Sequence, residues 1–353
     1  MSDKIRVAGR IIGAGQPCFI IAEAGVNHNG DIKVARQLVD AAVAAGADAV
    51  KFQTFKADRL VATSASKADY QIVNTDSNES QLEMLRKLEL TQAMHRQIMD
   101  YCRLKGVMFL STPFDRDSVD YLDGLGVPLF KLPSGEINNA GFLVHVARKN
   151  KPLIVSTGMS DLEEVKAAEQ AISEVGNKEV VFLHCVSNYP ADPADANLRA
   201  MQAMSKALSR PVGYSDHTLG IEVSLAAVAM GACVIEKHFT LDKNLPGPDH
   251  KASLEPSELK ALVKGVRTVE AALGHGRKQR MASEMSTAAV ARKSLVAARD
   301  IAAGTLITKE HVAVKRPGTG LPPYMEAEII GRITKKHIAF DSLFLMDMFN
   351  EEN

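Results

Sequence analysis

Eight short β-rich runs alternate with helical patterns along residues 1–275, and this alternation limits the fold more than any other feature of the chain. The runs lie near 18–23 (CFIIAE), 48–53 (DAVKFQ), 107–111 (VMFLS), 128–132 (PLFKL), 152–156 (PLIVS), 180–185 (VVFLHC), 211–215 (PVGYS) and 233–238 (CVIEKH). "DIKVARQLVDAAVAAG" and "DLEEVKAAEQAISEVG" between them read as helices, the second with Asp161 as N-cap and Gly176 as its stop. Eight such units predict a (β/α)8 TIM barrel. A doubly wound open sheet would want a glycine-rich phosphate loop after its first strand, and "GVNHNGD" is not one.

The pattern stops near residue 275. Residues 276–289 are polar and basic and read as a linker. Residues 290–353 hold short apolar pieces and turns, as a small β-rich domain would. "IAAGTLIT" at 301–308 and "IAFDSLFL" at 338–345 form a weak internal repeat, which suggests approximate two-fold symmetry.

Lys plus Arg and Asp plus Glu both number 42, so no global field recruits nucleic acid or an anionic membrane. The cysteines, Cys18, Cys102, Cys185 and Cys233, are far apart and read as small core residues in a reducing compartment. The charged start "MSDKIRVAGR" has no signal-peptide character, and no apolar run is long enough to span a bilayer. A cytoplasmic protein without membrane or nucleic-acid partners is expected.

In a barrel enzyme the chemistry sits at the carboxyl ends of the strands, and here those ends are polar. They carry Glu23; Lys51 and Gln53; Ser111 and Thr112; Lys131, Ser134 and Glu136; Ser156 and Thr157; His184 and Ser187; Ser215, Asp216 and His217; Glu236 and His238. Strand ends that meet solvent explain one or two of these, but not the recurrence of lysine, hydroxyl and histidine. Residues two apart share a face, so Lys51 with Gln53, Ser215 with His217, and Glu236 with His238 turn together into the mouth. Lysines and hydroxyls converging on oxygens make a phosphate site. A lone histidine at a strand end is commonly a structural hydrogen-bonder. Two on neighbouring strands, His217 and His238, favour a divalent metal with an open shell. His28 and Asn29 serve equally well as turn formers; His184 and His250 receive no role.

The ordered set "IIAEAGVNHNGD", "KFQTFKAD", "STPFD", "KLPSGE", "STGM", "LHCVSNYP", "GYSDHTLG", "EKHFTLD", "GPDH" and "KRPGTG" resembles the sialic acid synthases over nearly the whole chain. That resemblance implies a TIM barrel followed by a small antifreeze-like (SAF, β-clip) domain. It also implies a domain-swapped homodimer, in which Arg316 reaches the partner's barrel. It implies a metal-dependent transferase that condenses phosphoenolpyruvate with open-chain N-acetylmannosamine and water, giving N-acetylneuraminate and phosphate. Carried over by position, His217 and His238 hold the metal, most often Mn2+, with Mg2+ or Co2+ as substitutes. Lys51, Thr112, Ser134, Ser156, Ser187 and Ser215 bind phosphoenolpyruvate. Gln53, Lys131, Glu136, Tyr189, Asp249 and Arg316 surround the sugar, and Glu23 with Glu236 carries acid–base roles.

Two positions depart from the family pattern. Ser187 stands where some members have asparagine. Ala24 stands where many have isoleucine, and is expected to leave room near the sugar. That keeps a second substrate open, 2,4-diacetamido-2,4,6-trideoxymannose, giving N,N'-diacetyllegionaminate; pseudaminate synthesis ranks behind both. A pyruvate-dependent metal aldolase would not need so many phosphate donors, and an ice-binding small domain sits poorly with the basic "KRPGTG" loop.

Overall fold

The computed structural model describes residues 4–76 and 78–350. It contains two compact units, Met1–Gly274 and His275–Asn353. The first opens with an antiparallel hairpin, β1 (Lys4–Val7) and β2 (Arg10–Gly13). Eight parallel strands follow: β3 (Phe19–Gly25), β4 (Ala49–Thr54), β5 (Met108–Pro113), β6 (Phe130–Leu132), β7 (Leu153–Ser156), β8 (Val180–Cys185), β9 (Val212–Asp216) and β10 (Val234–His238). They neighbour one another in chain order, β3 pairs with β10, and β5 lies against β6, so the sheet closes into the expected barrel. The predicted strands and these spans agree to within two or three residues.

Alternation along each strand sorts two cores. Outward residues such as Ala22, Val50, Phe182 and Ile235 pack under the helices. Inward residues such as Ile21, Leu110, Ile154 and Val234 fill the barrel's lower half, where Ile5, Val7 and Ile12 of the hairpin join them. The hairpin therefore plugs the N-terminal end, and the polar strand ends stand at the other. Gly213 is needed inside: a Cβ there would lie 2.5 Å from the Val234 carbonyl oxygen and 2.7 Å from a Leu183 methyl.

Local chemistry sets the helix ends. Asp161 accepts from the N–H groups of Glu163 and Glu164 to start the helix Leu162–Glu174, and Gly176 at φ 91° follows its end, as predicted. The helix Ile32–Ala45 starts at Asp31 in the same way. Residues 55–91 form an insert with three short helices, Ala57–Leu60, Asp69–Asn74 and Gln81–Lys87. The insert is tied to the opposite rim where Asn74 Nδ2 donates to the Pro248 carbonyl at 3.0 Å.

The second unit pairs β11 (Ser294–Ala297) with β12 (Val312–Lys315) around Leu295, Ile301, Ile307, Ile338, Phe344 and Phe349. Ile301 and Ile338, equivalent in the sequence repeat, exchange two backbone hydrogen bonds of 2.9 Å. The repeated segments thus meet each other. One expectation needs correction: the predicted linker 276–289 is partly helical. "MSTAAVA" forms the helix Met285–Ala291, since an alanine-rich segment favours that state whatever its polar flanks suggest. Among the described residues, no helix is long and apolar enough to cross a membrane.

Candidate active site

The barrel mouth encloses a cavity of about 440 Å³ lined from all eight strand ends, from the insert, and from the loop at Pro248 and Asp249. The strand face that carries Ile21 and Leu110 lower down turns Glu23, Lys51, Thr112, Lys131, Ser156, Ser215 and Glu236 into it, all nearly sealed from solvent. Lys51 Nζ lies 2.7 Å from Glu23 Oε2 and 3.7 Å from Glu236 Oε2, and donates to Thr112 Oγ1 at 2.8 Å. Lys131 Nζ donates to Ser156 Oγ at 2.7 Å and lies 3.3 Å from Glu236 Oε1. Ser215 Oγ donates to the same Oε1 at 3.1 Å. Two ammonium groups thus share two carboxylates in a low-dielectric space.

These surroundings drive the carboxyl groups apart. Burial pushes Glu23 up against the opposing pull of Lys51, and the neighbouring charge of Glu236 raises it further. Burial acts on Glu236 as well, but Lys131 and Lys51 together outweigh it and hold that carboxyl below the usual range. One group is suited to carry a proton and the other to stay ionised, an arrangement typical of acid–base sites.

Beside this cluster Gly158 closes a small cradle. Its N–H donates to Ser134 Oγ at 2.9 Å, and Ser134 Oγ lies 3.2 Å from Cys185 Sγ. A Cβ at Gly158 would lie 2.2 Å from Ser187 Oγ and 3.0 Å from Cys185 Sγ. Hydroxyls and a backbone N–H so placed suit the oxygens of a phosphate or carboxylate.

The rings of His217 and His238 lie 5.6 Å apart by centroid. His217 Nδ1–H donates to the Val186 carbonyl at 2.6 Å, which leaves Nε2 as the acceptor nitrogen. His238 Nδ1 is buried without a hydrogen-bond partner. Burial lowers both imidazoles below their ordinary value, and the neighbouring His217 lowers His238 further, which favours the neutral, ligating form. Two neutral imidazoles, one with an orphaned nitrogen, fit a divalent cation. Among the described residues no group of three or more His, Cys, Asp and Glu converges on such a position, so water or substrate would complete the shell. Tyr189 packs on both rings, at 4.2 Å and 5.6 Å, and Tyr70 of the insert packs on Tyr189 at 5.1 Å.

A model of the NeuB family matches residues 38–278. The chain belongs to the NeuB family. A SAF domain model matches residues 292–350 of this NeuB member. An N,N'-diacetyllegionaminic acid synthase of Legionella pneumophila is 51% identical over 90% of this chain and 91% of its own. An N-acetylneuraminate-9-phosphate synthase of Mus musculus is 40% identical over 89% and 88%. Among solved structures, an N-acetylneuraminic acid synthetase from Leptospira borgpetersenii in complex with citrate superposes with a TM-score of 0.72. That pair is 34% identical, and the match covers 81% of this chain and 95% of the other.

Most of the residues singled out from the sequence line the NeuB cavity: Glu23, Lys51, Gln53, Thr112, Lys131, Ser134, Ser156, Ser187, Tyr189, Ser215, His217, Glu236, His238 and Asp249. Glu136 and Ala24 do not act as expected. Glu136 sits in a single 3₁₀ turn, accepts from Asn139 Nδ2 at 2.8 Å and lies outside the cavity wall. Arg316 is exposed in the second unit. Ala24 points into the helical layer, because it alternates with the inward Glu23, and so makes no room for a sugar.

The sequence reading missed Gly158 and Cys185. It also missed the insert residues Tyr70, Gln71, Met84, Leu85 and Leu88 on the cavity wall. A signal for the insert was present: over fifty residues separate the second and third predicted strands, too many for one connecting helix. His28, whose Nδ1 accepts from the Gly30 N–H at 2.9 Å, is a turn residue.

Proposed function

We propose that this chain is an N,N'-diacetyllegionaminate synthase, condensing phosphoenolpyruvate with open-chain 2,4-diacetamido-2,4,6-trideoxymannose and water, with release of phosphate. The observation that carries the choice of sugar is the 51% identity to the Legionella pneumophila enzyme, against 40% to the neuraminate-9-phosphate enzyme. Sequence motifs alone put N-acetylmannosamine first; the identities reverse that order. The cavity supports the same choice: Val26, Leu60, Met84, Leu85, Leu88 and Phe114 give its outer wall an apolar character suited to a deoxy sugar's methyl group.

In this reading Lys51 and Lys131 neutralise the phosphate and carboxylate of phosphoenolpyruvate, and Thr112, Ser134, Ser156, Ser187, Ser215 and the Gly158 N–H orient them. His217 and His238 would hold a divalent cation, with Mn2+ as the first choice. When bound there, it supplies Lewis-acid polarisation of the sugar aldehyde. C3 of phosphoenolpyruvate bonds to the aldehyde carbon, and water adds at C2. The C2–O bond to phosphate then breaks, leaving the 2-keto acid. Glu23, with its raised carboxyl, is placed to give a proton to the alkoxide. Glu236, kept ionised, is placed to take one from the attacking water. Tyr189, Gln53 and Asp249 face the sugar side.

The proposal includes the cytoplasmic, domain-swapped homodimer implied by the family resemblance, in which Arg316 serves the partner's barrel; sedimentation tests the dimer. The reaction is tested with phosphoenolpyruvate carrying 18O in its C–O–P bridge. The expected result is metal-dependent release of labelled phosphate, one per sugar consumed. Turnover with pyruvate in its place, or unlabelled phosphate, would contradict the reading.

A further inference from the structure

Lys237 is among the largest fully enclosed side chains of the protein, at 1% exposure, although its neighbours Glu236 and His238 face the cavity. Strand alternation turns it to the opposite side, under the helix layer. There Nζ lies 2.8 Å from Asp216 Oδ2 and donates to the Thr218 carbonyl at 2.6 Å. Asp216 Oδ1 accepts from the Thr218 N–H at 2.9 Å and from Thr218 Oγ1 at 2.7 Å. Its Oδ2 accepts from Ser224 Oγ at 2.5 Å, on the helix Glu222–Ala229. Asp216 and Lys237 are also register partners across β9 and β10.

The residues on both sides of His217 are therefore bonded to the residue just before His238. A dry ion pair is weak grounds for stability, because an apolar pair of similar volume commonly does as well or better. What such a network supplies is a fixed geometry between two chain segments, and here each segment carries one imidazole of the cavity.

We propose that Asp216 and Lys237 are a positioning pair for His217 and His238. They lock the ends of β9 and β10 so that the free nitrogens of both rings address one divalent cation. Neither residue touches the reacting atoms. The inference rests on the metal reading given above and extends it behind the ligands; partners of this kind are commonly worth about ten- to a hundredfold in metal affinity.

The test is Mn2+ binding to the metal-free protein, read from the paramagnetic resonance of unbound Mn2+. It is paired with the 15N shifts of the His217 ring, which report its tautomer without any metal. The double variant Asp216→Asn with Lys237→Met removes both charges and leaves neither uncompensated. It is expected to keep its fold by circular dichroism, to bind Mn2+ about ten- to a hundredfold more weakly, and to lose the single Nδ1–H tautomer of His217. If that variant fails to fold, Ser224→Ala, which deletes one donor to Asp216, decides. A severalfold weaker dissociation constant supports the pair, and a change under twofold overturns it. A folded double variant with Mn2+ affinity within twofold of wild type and an unchanged tautomer also overturns it. If the wild-type protein binds no Mn2+, the metal reading fails on its own. The positioning role is then decided by the tautomer alone: a mixed tautomer in the double variant supports it, an unchanged one overturns it.

Discussion

Glu23 Oε2 lies 2.7 Å from Lys51 Nζ, and both side chains are almost wholly withdrawn from solvent. Burial raises the carboxyl, and Lys51 is the main influence that keeps it from rising further. An arriving anion competes for that ammonium. Binding of phosphoenolpyruvate is therefore expected to raise Glu23 again and draw a proton from solution at pH 8. Calorimetry in buffers of different ionisation enthalpy should show net uptake, up to about one proton per site. Glu23→Gln should abolish the uptake while leaving binding measurable. Buffer-independent heats in the wild-type protein would contradict this role.

The cradle at Gly158 leaves no space for a methyl group, since Ser187 Oγ would stand 2.2 Å from it. Gly158→Ala should push the Ser134 and Ser187 hydroxyls out of alignment. The expected effect is a rise in KM for phosphoenolpyruvate of about tenfold or more, the scale of losing one or two charge-assisted hydrogen bonds. The sugar KM should change little. An unchanged KM for phosphoenolpyruvate would place its phosphate elsewhere.

His28 and His250 are fully buried, and burial holds each down at about 4. Between about pH 6.5 and 4 the unfolded chain binds protons that the folded one excludes. Their contribution is full above 6.5 and is lost as pH falls toward 4, at about 1.4 kcal/mol per pH unit for each. Asp249, raised by burial to about 6, acts in the opposite sense. Comparison of wild type with His28→Gln isolates one histidine. In denaturant titrations from pH 7 to 4.5, the variant's stability should fall less steeply by about that slope. Parallel curves would contradict it.

Leu85 stands on the apolar wall of the insert with Met84 and Leu88. If that wall receives the methyl of a deoxy sugar, Leu85→Ser should cost about 1 kcal/mol in transition-state binding, from the loss of apolar contact. The expected result is a roughly five- to tenfold lower kcat/KM for 2,4-diacetamido-2,4,6-trideoxymannose, with less than twofold change for N-acetylmannosamine. Equal losses on both sugars would move the methyl away from this wall.

The barrel and most of its mouth were legible because strand alternation is a local property. Once Ile21 is inside, Glu23 must be inside too, and the same holds for Val234, Glu236 and His238. The rule also shows why Ala24 was misread: position beside Glu23 in sequence places it on the opposite face. Glu136 was placed beside the sugar by resemblance alone, and in the structure it stands in a 3₁₀ turn beyond β6, outside the cavity wall. Gly158 and the pair of Asp216 with Lys237 were not legible, since their roles depend on contacts from other strands. The N-terminal hairpin was passed over because four-residue strands carry little periodic signal.

The most direct test of the account is the ratio of kcat/KM for 2,4-diacetamido-2,4,6-trideoxymannose to that for N-acetylmannosamine, with phosphoenolpyruvate and Mn2+ saturating. A second acetamido contact and a buried methyl together should make the ratio about tenfold or more. A ratio at or below one would contradict the assignment.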